Sequence, residues 1–157
     1  MDVTTLSATM LARFIRTHLI SAVNVMDAVL SRLDRVNPLL NAVFQIDADK
    51  ARAQAVEADQ ALSRAEPVGP LHGVPITIKD SLDTKGRITT WGTVGKKSSV
   101  PSKDSTVVSR LRGAGAIILG KSNTPEFTLS GITDNDVYGR TNTPYDLKRT
   151  PAGSSGG

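Results

Sequence analysis

The sequence contains no cysteine, which excludes a disulfide framework and thiolate metal sites and fits a reducing compartment. Aromatic residues are scarce, at 4% of the chain against 39% hydrophobic overall, so the core must rest on Val, Ile, Leu and Ala. No hydrophobic run approaches the length a membrane span needs. The opening Met1–Asp2–Val3–Thr4–Thr5 has neither the basic stretch nor the unbroken apolar segment of a secretory signal. Together these absences read as a soluble, cytoplasmic protein, and 157 residues suit about one domain.

Charge of one sign is also missing as a block. The net charge is +4, with 7 basic and 8 acidic residues over 1–66 and 12 and 7 over 67–157. The basic residues of the second part are scattered, in pairs such as Lys96–Lys97 and Lys148–Arg149, without interleaved aromatics. This pattern describes a solvated surface rather than a nucleic-acid groove.

The first third carries helical periodicity. Leu6, Met10, Leu11, Phe14 and Ile15 recur at helical spacing, with Thr5 or Ser7 available as a cap. A second helix follows Ser21 with an apolar stripe of Val25, Met26, Val29, Leu30 and Leu33. Pro38 is expected to end it after Asn37, because the residue before proline is pushed out of helical geometry. Ala42–Ile46 suggests a short strand. Asp47 or Asp49 opens an alanine-rich helix to about Ala65, ended by Pro67, Gly69 and Pro70.

From Gly69 strand and helix signals alternate. Val74–Ile78 reads as a strand, with Pro75 near its start. A connection rich in Gly and Lys covers Lys85–Pro101. Ser102 or Asp104 caps a helix carrying Val107, Val108 and Leu111, and Ala116–Leu119 is a buried-type strand. This succession predicts an α/β fold with a crossover unit and a largely parallel sheet. The expected division is a helical segment over 1–68 and the start of a core over 69–157, within one domain.

Ligands in open α/β sheets bind beyond the carboxyl ends of strands. Lys79 and Lys121 fall at those ends, and Gly153–Ser154–Ser155–Gly156–Gly157 supplies a flexible, hydroxyl-rich loop. Spacing leaves open which lysine matters. Gly115–Ser122 satisfies the phosphate-loop pattern, but its middle residues Ala116–Leu119 are themselves strand-like, so nucleotide binding is rejected. His18 and His72 lack ligand spacing to any partner, which argues against a metal site, and no nucleophile-elbow motif is present.

Read together, GPLHGVPITIKD (69–80), GAGAIILGKSNTPEF (113–127), YGRTNTP (138–144) and TPAGSSGG (150–157) stand in the order and approximate spacing of the amidase signature family, which this chain resembles closely over 69–157. The resemblance implies a three-layer α/β/α fold with a mixed, largely parallel sheet, of which this chain is the N-terminal portion. It implies a Ser–cis-Ser–Lys triad in which Lys79 matches the base and Ser154 the bridging serine. Ser155, Gly153 and Gly156 match supporting positions. The family's nucleophilic serine belongs about two dozen residues beyond the bridging one and so falls outside these residues; alone, they are expected to be inactive and, with exposed sheet edges, prone to aggregate. Ala152 replaces a family glycine.

The implied activity is hydrolysis of an amide carbon–nitrogen bond, on a small amide substrate, without cofactor or metal and without direct contact to nucleic acid or membrane. An alternative within the family is the glutamine-hydrolysing component of a tRNA-dependent amidotransferase. The amidotransferase pattern carries Met-Asp where Thr124–Pro125 stand, which favours the stand-alone amidase. A further alternative is a non-catalytic fragment.

The chemistry asks for these residue types. A serine hydroxyl needs a neighbouring base at neutral pH, and lysine serves only when neutral, its pKa near 10.4 brought down by burial or positive neighbours. A dry setting for Lys79 after Ile76–Thr77–Ile78 is therefore expected, with Asp80 facing away, since an inward carboxylate would oppose the shift.

Overall fold

The computed structural model describes residues 2–157. Its packing separates two compact units. One comprises the described chain up to Arg35, Asp47–Ile76 and Ser109–Leu119; the other comprises Val36–Ile46, Thr77–Val108 and Gly120–Gly157. The compositional change at Gly69 is therefore not where the packing divides, because the chain passes from one unit to the other several times.

The first unit has an aliphatic core. Helix α1 (Ala8–Arg16) starts at Ser7, whose side chain accepts a hydrogen bond from the Met10 amide at 3.2 Å, satisfying one of the donors left open by a helix N-terminus. Its Leu11 and Ile15 are buried, while Met10 faces solvent. Helix α2 (Ala22–Leu40) adds Val25, Met26 and Leu30. Its first amides are capped from a distance in sequence: the Asp59 carboxylate accepts from Ala22 at 2.7 Å and Val23 at 3.1 Å, a negative charge where the helix dipole favours one. Helix α3 (Ala48–Ser63) begins at Asp47 and buries Ala51, Ala55 and Ala58 on one face. Such small side chains shorten the distance at which a helix can pack. Val74, Ile117 and Leu119 complete the cluster, each buried aliphatic side chain contributing about 1.5–3 kcal/mol.

Pro38 does not end α2. The helix runs on to Leu40 with the proline inside its last turn. There the missing amide deprives only the carbonyl of exposed Asp34, while the Asn41 amide still closes onto the Asn37 carbonyl at 2.7 Å. The Asn37 side chain then secures the exit, accepting from the amides of Ala42 and Val43 and donating to the Val43 carbonyl at 2.8 Å. Asn41 itself takes a left-handed φ of 53°, a conformation asparagine tolerates after a helix.

The strands are β1 (Val43–Phe44), β2 (Pro75–Lys79) and β3 (Ile117–Ser122), in sheet order β1-β3-β2. β1 runs antiparallel to β3, with Val43 opposite Ser122 and Phe44 opposite Lys121. Val74 accepts from the Ile117 amide at 2.8 Å, and further on Ser122 accepts from the Asp80 amide at 2.9 Å. Both partners advance together, so β2 and β3 are parallel and the sheet is mixed. Helix α4 (Thr106–Gly113) lies between them in sequence, as the crossover reading predicts. It begins one residue later than a cap at Asp104 requires; that carboxylate accepts from the Lys85 amide at 2.7 Å.

All thirteen glycines lie at or after Gly69. Gly115 shows why one is needed: its φ is +88°, and a Cβ there would stand 2.8 Å from the His72 Cα. His72 is structural, its Nε2 at 2.9 Å from the Ala58 carbonyl. Gly120 lies inside β3, where a Cβ would meet the Phe44 carbonyl oxygen at 2.7 Å. The phosphate-loop lookalike is thus a tightly packed strand. Among the described residues, no helix is long and apolar enough to cross a membrane.

Candidate functional site

The second unit is built around polar side chains. Asp80, Thr84, Thr89, Thr90, Lys121, Asn123, Thr124, Thr133 and Thr141 are all buried, and buried polar groups persist only when hydrogen-bonded. The two strand-end lysines separate here. β3 continues through Ser122, so Lys121 sits inside the strand and is fully buried. Its three protons are committed to the Leu82 carbonyl at 2.6 Å and to the Thr84 and Thr89 hydroxyls, each at 3.1 Å. Burial pulls its pKa down to about 8 despite the opposing carboxylate of Asp80, 3.8 Å away.

Lys79 ends β2 on the other side of the strand. Its Nζ donates to Ser154 Oγ at 2.8 Å and to Ser155 Oγ at 3.2 Å, bringing together residues 75 and 76 positions apart in sequence. Its pKa is lowered, and the cause is desolvation. The surroundings are less dry than expected, however: Lys79 and Ser154 are half-buried, and Ser155 is exposed. β2 presents one edge residue after another to partial solvent, Ile78 alone among its five residues being buried.

Asp80 turns away from Lys79, as side-chain alternation along a strand requires. Its Oδ2 accepts from the Thr90 amide at 3.1 Å and from the Thr90 hydroxyl. Its Oδ1 has no hydrogen-bond donor and faces Lys121. Desolvation raises its pKa against the pull of these partners. The Tyr138 ring stacks on Phe44 at 4.0 Å between centroids, and its hydroxyl receives a hydrogen bond from Gln45 Nε2 at 3.2 Å. Desolvation, aided by the Asp80 charge, raises the tyrosine pKa. Neither the Asp80–Lys121 pair nor Tyr138 was legible as part of this polar interior.

The glycine–serine strip is held by close approach. The Gly153–Ser154 peptide is cis. A Cβ on Gly153 would collide with the Ser130 carbonyl oxygen, and one on Gly156 would collide with Thr133 Oγ1. The left-handed residue of the strip is Ala152, at φ 73°, the position that departs from the family glycine. Its carbonyl accepts from Thr133 Oγ1 at 2.7 Å. Thr124 Oγ1 reaches the Ser154 carbonyl at 3.2 Å.

Known proteins share this arrangement of sequence and fold. The amidase family pattern matches residues 24–157. An acylamidase of Rhodococcus erythropolis is 41% identical over 150 residues, covering 96% of this chain and 31% of the relative. A glutamyl-tRNA(Gln) amidotransferase polypeptide of Prochlorococcus marinus, the one designated A in that complex, is 45% identical over 138 residues, covering 88% and 28%. Among solved structures, fatty acid amide hydrolase superposes with a TM-score of 0.93 at 31% identity, over 98% of this chain and 27% of that one. A bacterial aryl acylamidase of the amidase signature family gives 0.89 at 30% identity, over 96% and 32%. The chain thus spans about 30% of the length of such relatives. With the family pattern running through most of its length and the same fold beneath it, this chain belongs to the amidase signature family.

Proposed function

We propose that the whole protein hydrolyses amide carbon–nitrogen bonds by acyl transfer to a serine, with Lys79 as the base and Ser154 as the proton relay. The observation that carries this reading is the 2.8 Å contact between Lys79 Nζ and Ser154 Oγ, made by an amine whose pKa burial has lowered. A separation of this length serves proton transfer in either direction. With Lys79 neutral, Ser154 donates its proton to the amine while accepting one from the attacking hydroxyl, which the family pattern puts beyond Gly157. The ammonium so formed returns a proton, through the same relay, to the departing amine. Ser155, at 3.2 Å, keeps the amine aimed at the strip, and Gly153 and Gly156 let the strip's backbone approach its neighbours. These steps use protein groups and water alone. A small amide as substrate and a cytoplasmic location complete the reading, the latter in keeping with the absence of cysteine.

The test is Lys79→Ala in the full-length protein. Amide hydrolysis should fall by about a thousandfold, the scale of general-base assistance, with the melting temperature retained. Hydrolysis at near-normal rate in this variant would overturn the assignment of the base.

A second reading is favoured by the 45% identity to the amidotransferase polypeptide. On that reading the amide is glutamine and the ammonia passes to a charged tRNA. Ser122–Asn123–Thr124–Pro125–Glu126–Phe127 supports the stand-alone amidase instead. Glutaminase activity that appears only with partner proteins and tRNA would decide for the second reading.

A further inference from the structure

The base and the relay face each other across half-exposed space, and only one of them sits on a strand. Lys79 is carried by β2, and its carbonyl accepts from the Leu82 amide at 2.9 Å. Leu82 is in turn fastened by Lys121 at 2.6 Å, and the next amide after Lys79, that of Asp80, is fastened by the Ser122 carbonyl at 2.9 Å. The end of β3 therefore fixes the backbone under the base.

Ser154 has no comparable strand. Its neighbours Gly153 and Ser155 are exposed. Among the described residues Ser154 makes two hydrogen bonds, one from Lys79 to its hydroxyl and one from Thr124 to its carbonyl. The first is the contact whose geometry must be held; the Thr133–Ala152 bond and the close packing of Gly153 and Gly156 hold the strip on either side, and the second is the bond that holds the backbone of Ser154 itself.

Thr124 is suited to that task because both its amide and its carbonyl are hydrogen-bonded. It is fully buried. Its amide donates to Asn123 Oδ1 at 3.0 Å, and its carbonyl accepts from Asn135 Nδ2 at 2.8 Å. Asn135 also donates to Asn123 Oδ1 at 2.8 Å, and Asn123 itself is anchored through Nδ2 to Thr141 Oγ1 at 2.8 Å and to the Gly139 carbonyl at 3.0 Å. A buried hydroxyl without a partner is costly, and the Ser154 carbonyl is the partner that Thr124 Oγ1 has. Resting on the Lys79–Ser154 reading above, we propose that Thr124 is a positioning residue, whose hydroxyl holds the Ser154 carbonyl so that Ser154 Oγ stays within proton-transfer distance of Lys79.

The same four residues, Lys121–Ser122–Asn123–Thr124, then act on both partners: Lys121 and Ser122 steady the segment bearing the base, and Thr124 steadies the relay. Thr124 does not touch the amine, and on this arrangement it has no part in binding the substrate. Its loss should appear in the chemical step.

The experiment compares Thr124→Val, close to the native shape without the hydroxyl, with Thr124→Ser, which keeps the hydroxyl, both in the full-length protein. Thr124→Val should lower kcat about ten- to a hundredfold, the cost of a misplaced catalytic group, with KM within about twofold and an unchanged melting temperature. Thr124→Ser should bring kcat back to within about threefold of wild type. A native kcat in Thr124→Val overturns the proposal, as does equal loss in the Val and Ser variants or a loss confined to KM. If Thr124→Val melts early, Thr124→Ser remains decisive at matched fraction folded: the two variants must still differ in kcat per folded molecule. Lys79→Ala run alongside separates the two ideas. Hydrolysis surviving Lys79→Ala removes the base reading, whereas hydrolysis lost in Lys79→Ala but intact in Thr124→Val removes only the positioning role.

Discussion

Replacing Lys121 with methionine keeps the length of the side chain and deletes its charge, and the structure sets the size and pH dependence of the consequence. The ammonium is fully buried, with a pKa of about 8 in the fold against an ordinary 10.5. At about 1.4 kcal/mol per pH unit, keeping it charged in the folded protein costs about 3 kcal/mol, net of the attraction of Asp80. The folded-state pKa is depressed, so between about pH 8 and 10.5 the unfolded chain binds more protons than the folded one. Stability contributed by this group therefore rises with pH across that window and is lost again as pH falls through 8. Lys121→Met removes the dependence, because the variant has no amine to titrate.

At pH 7 the substitution should nevertheless destabilise. It leaves the Asp80 carboxylate buried without its 3.8 Å partner and orphans the Leu82 carbonyl and the Thr84 and Thr89 hydroxyls. Breaking such a pair from one side costs about 3–5 kcal/mol. Adding Asp80→Asn should recover part of that loss, since the uncompensated charge is then gone. The assay is equilibrium unfolding in urea at intervals from pH 7 to 10.5 for wild type and variant. All other lysines are shared, so the stability difference isolates Lys121 and should widen by about 3 kcal/mol toward high pH. Parallel curves from pH 8 to 10.5 would refute the account of the buried amine.

Two substitutions in the glycine–serine strip test its packing. Gly156→Ala drives a methyl group into Thr133 Oγ1; the strip should detach, and labelling of the Lys79 amine by an acylating reagent, mapped by mass spectrometry, should then match that of exposed Lys97. Ala152→Gly relieves a left-handed residue at φ 73° and should stabilise the strip by about 0.5–1 kcal/mol, read as slower amide exchange over residues 150–157.

Local physics made much of the framework readable. Ser7 and Asp47 are short polar side chains just before periodic apolar stretches, and both cap helices as their chemistry dictates. The stripe of Val25, Met26 and Leu30 faces the core for the same reason. Pro38 escaped this logic because its penalty depends on position within the helix: in the final turn it forfeits one bond that water can replace. Ala152 escaped it too, since a residue in left-handed geometry carries no mark in the sequence beyond the glycine it replaces.

The participants were readable along the linear chain: periodicity named the helices, and the order of four separated motifs, through the family resemblance, named Lys79 and the Gly153–Gly157 strip. Folding in three dimensions fixed how near Lys79 comes to Ser154, how open their surroundings are, and that Thr124 and the Asp80–Lys121 pair frame them. The reason is range. A cap or an apolar stripe is settled within one or two helical turns, whereas the contact of Lys79 with Ser154 joins positions 75 residues apart, and its distance is set by the buried side chains folded in between.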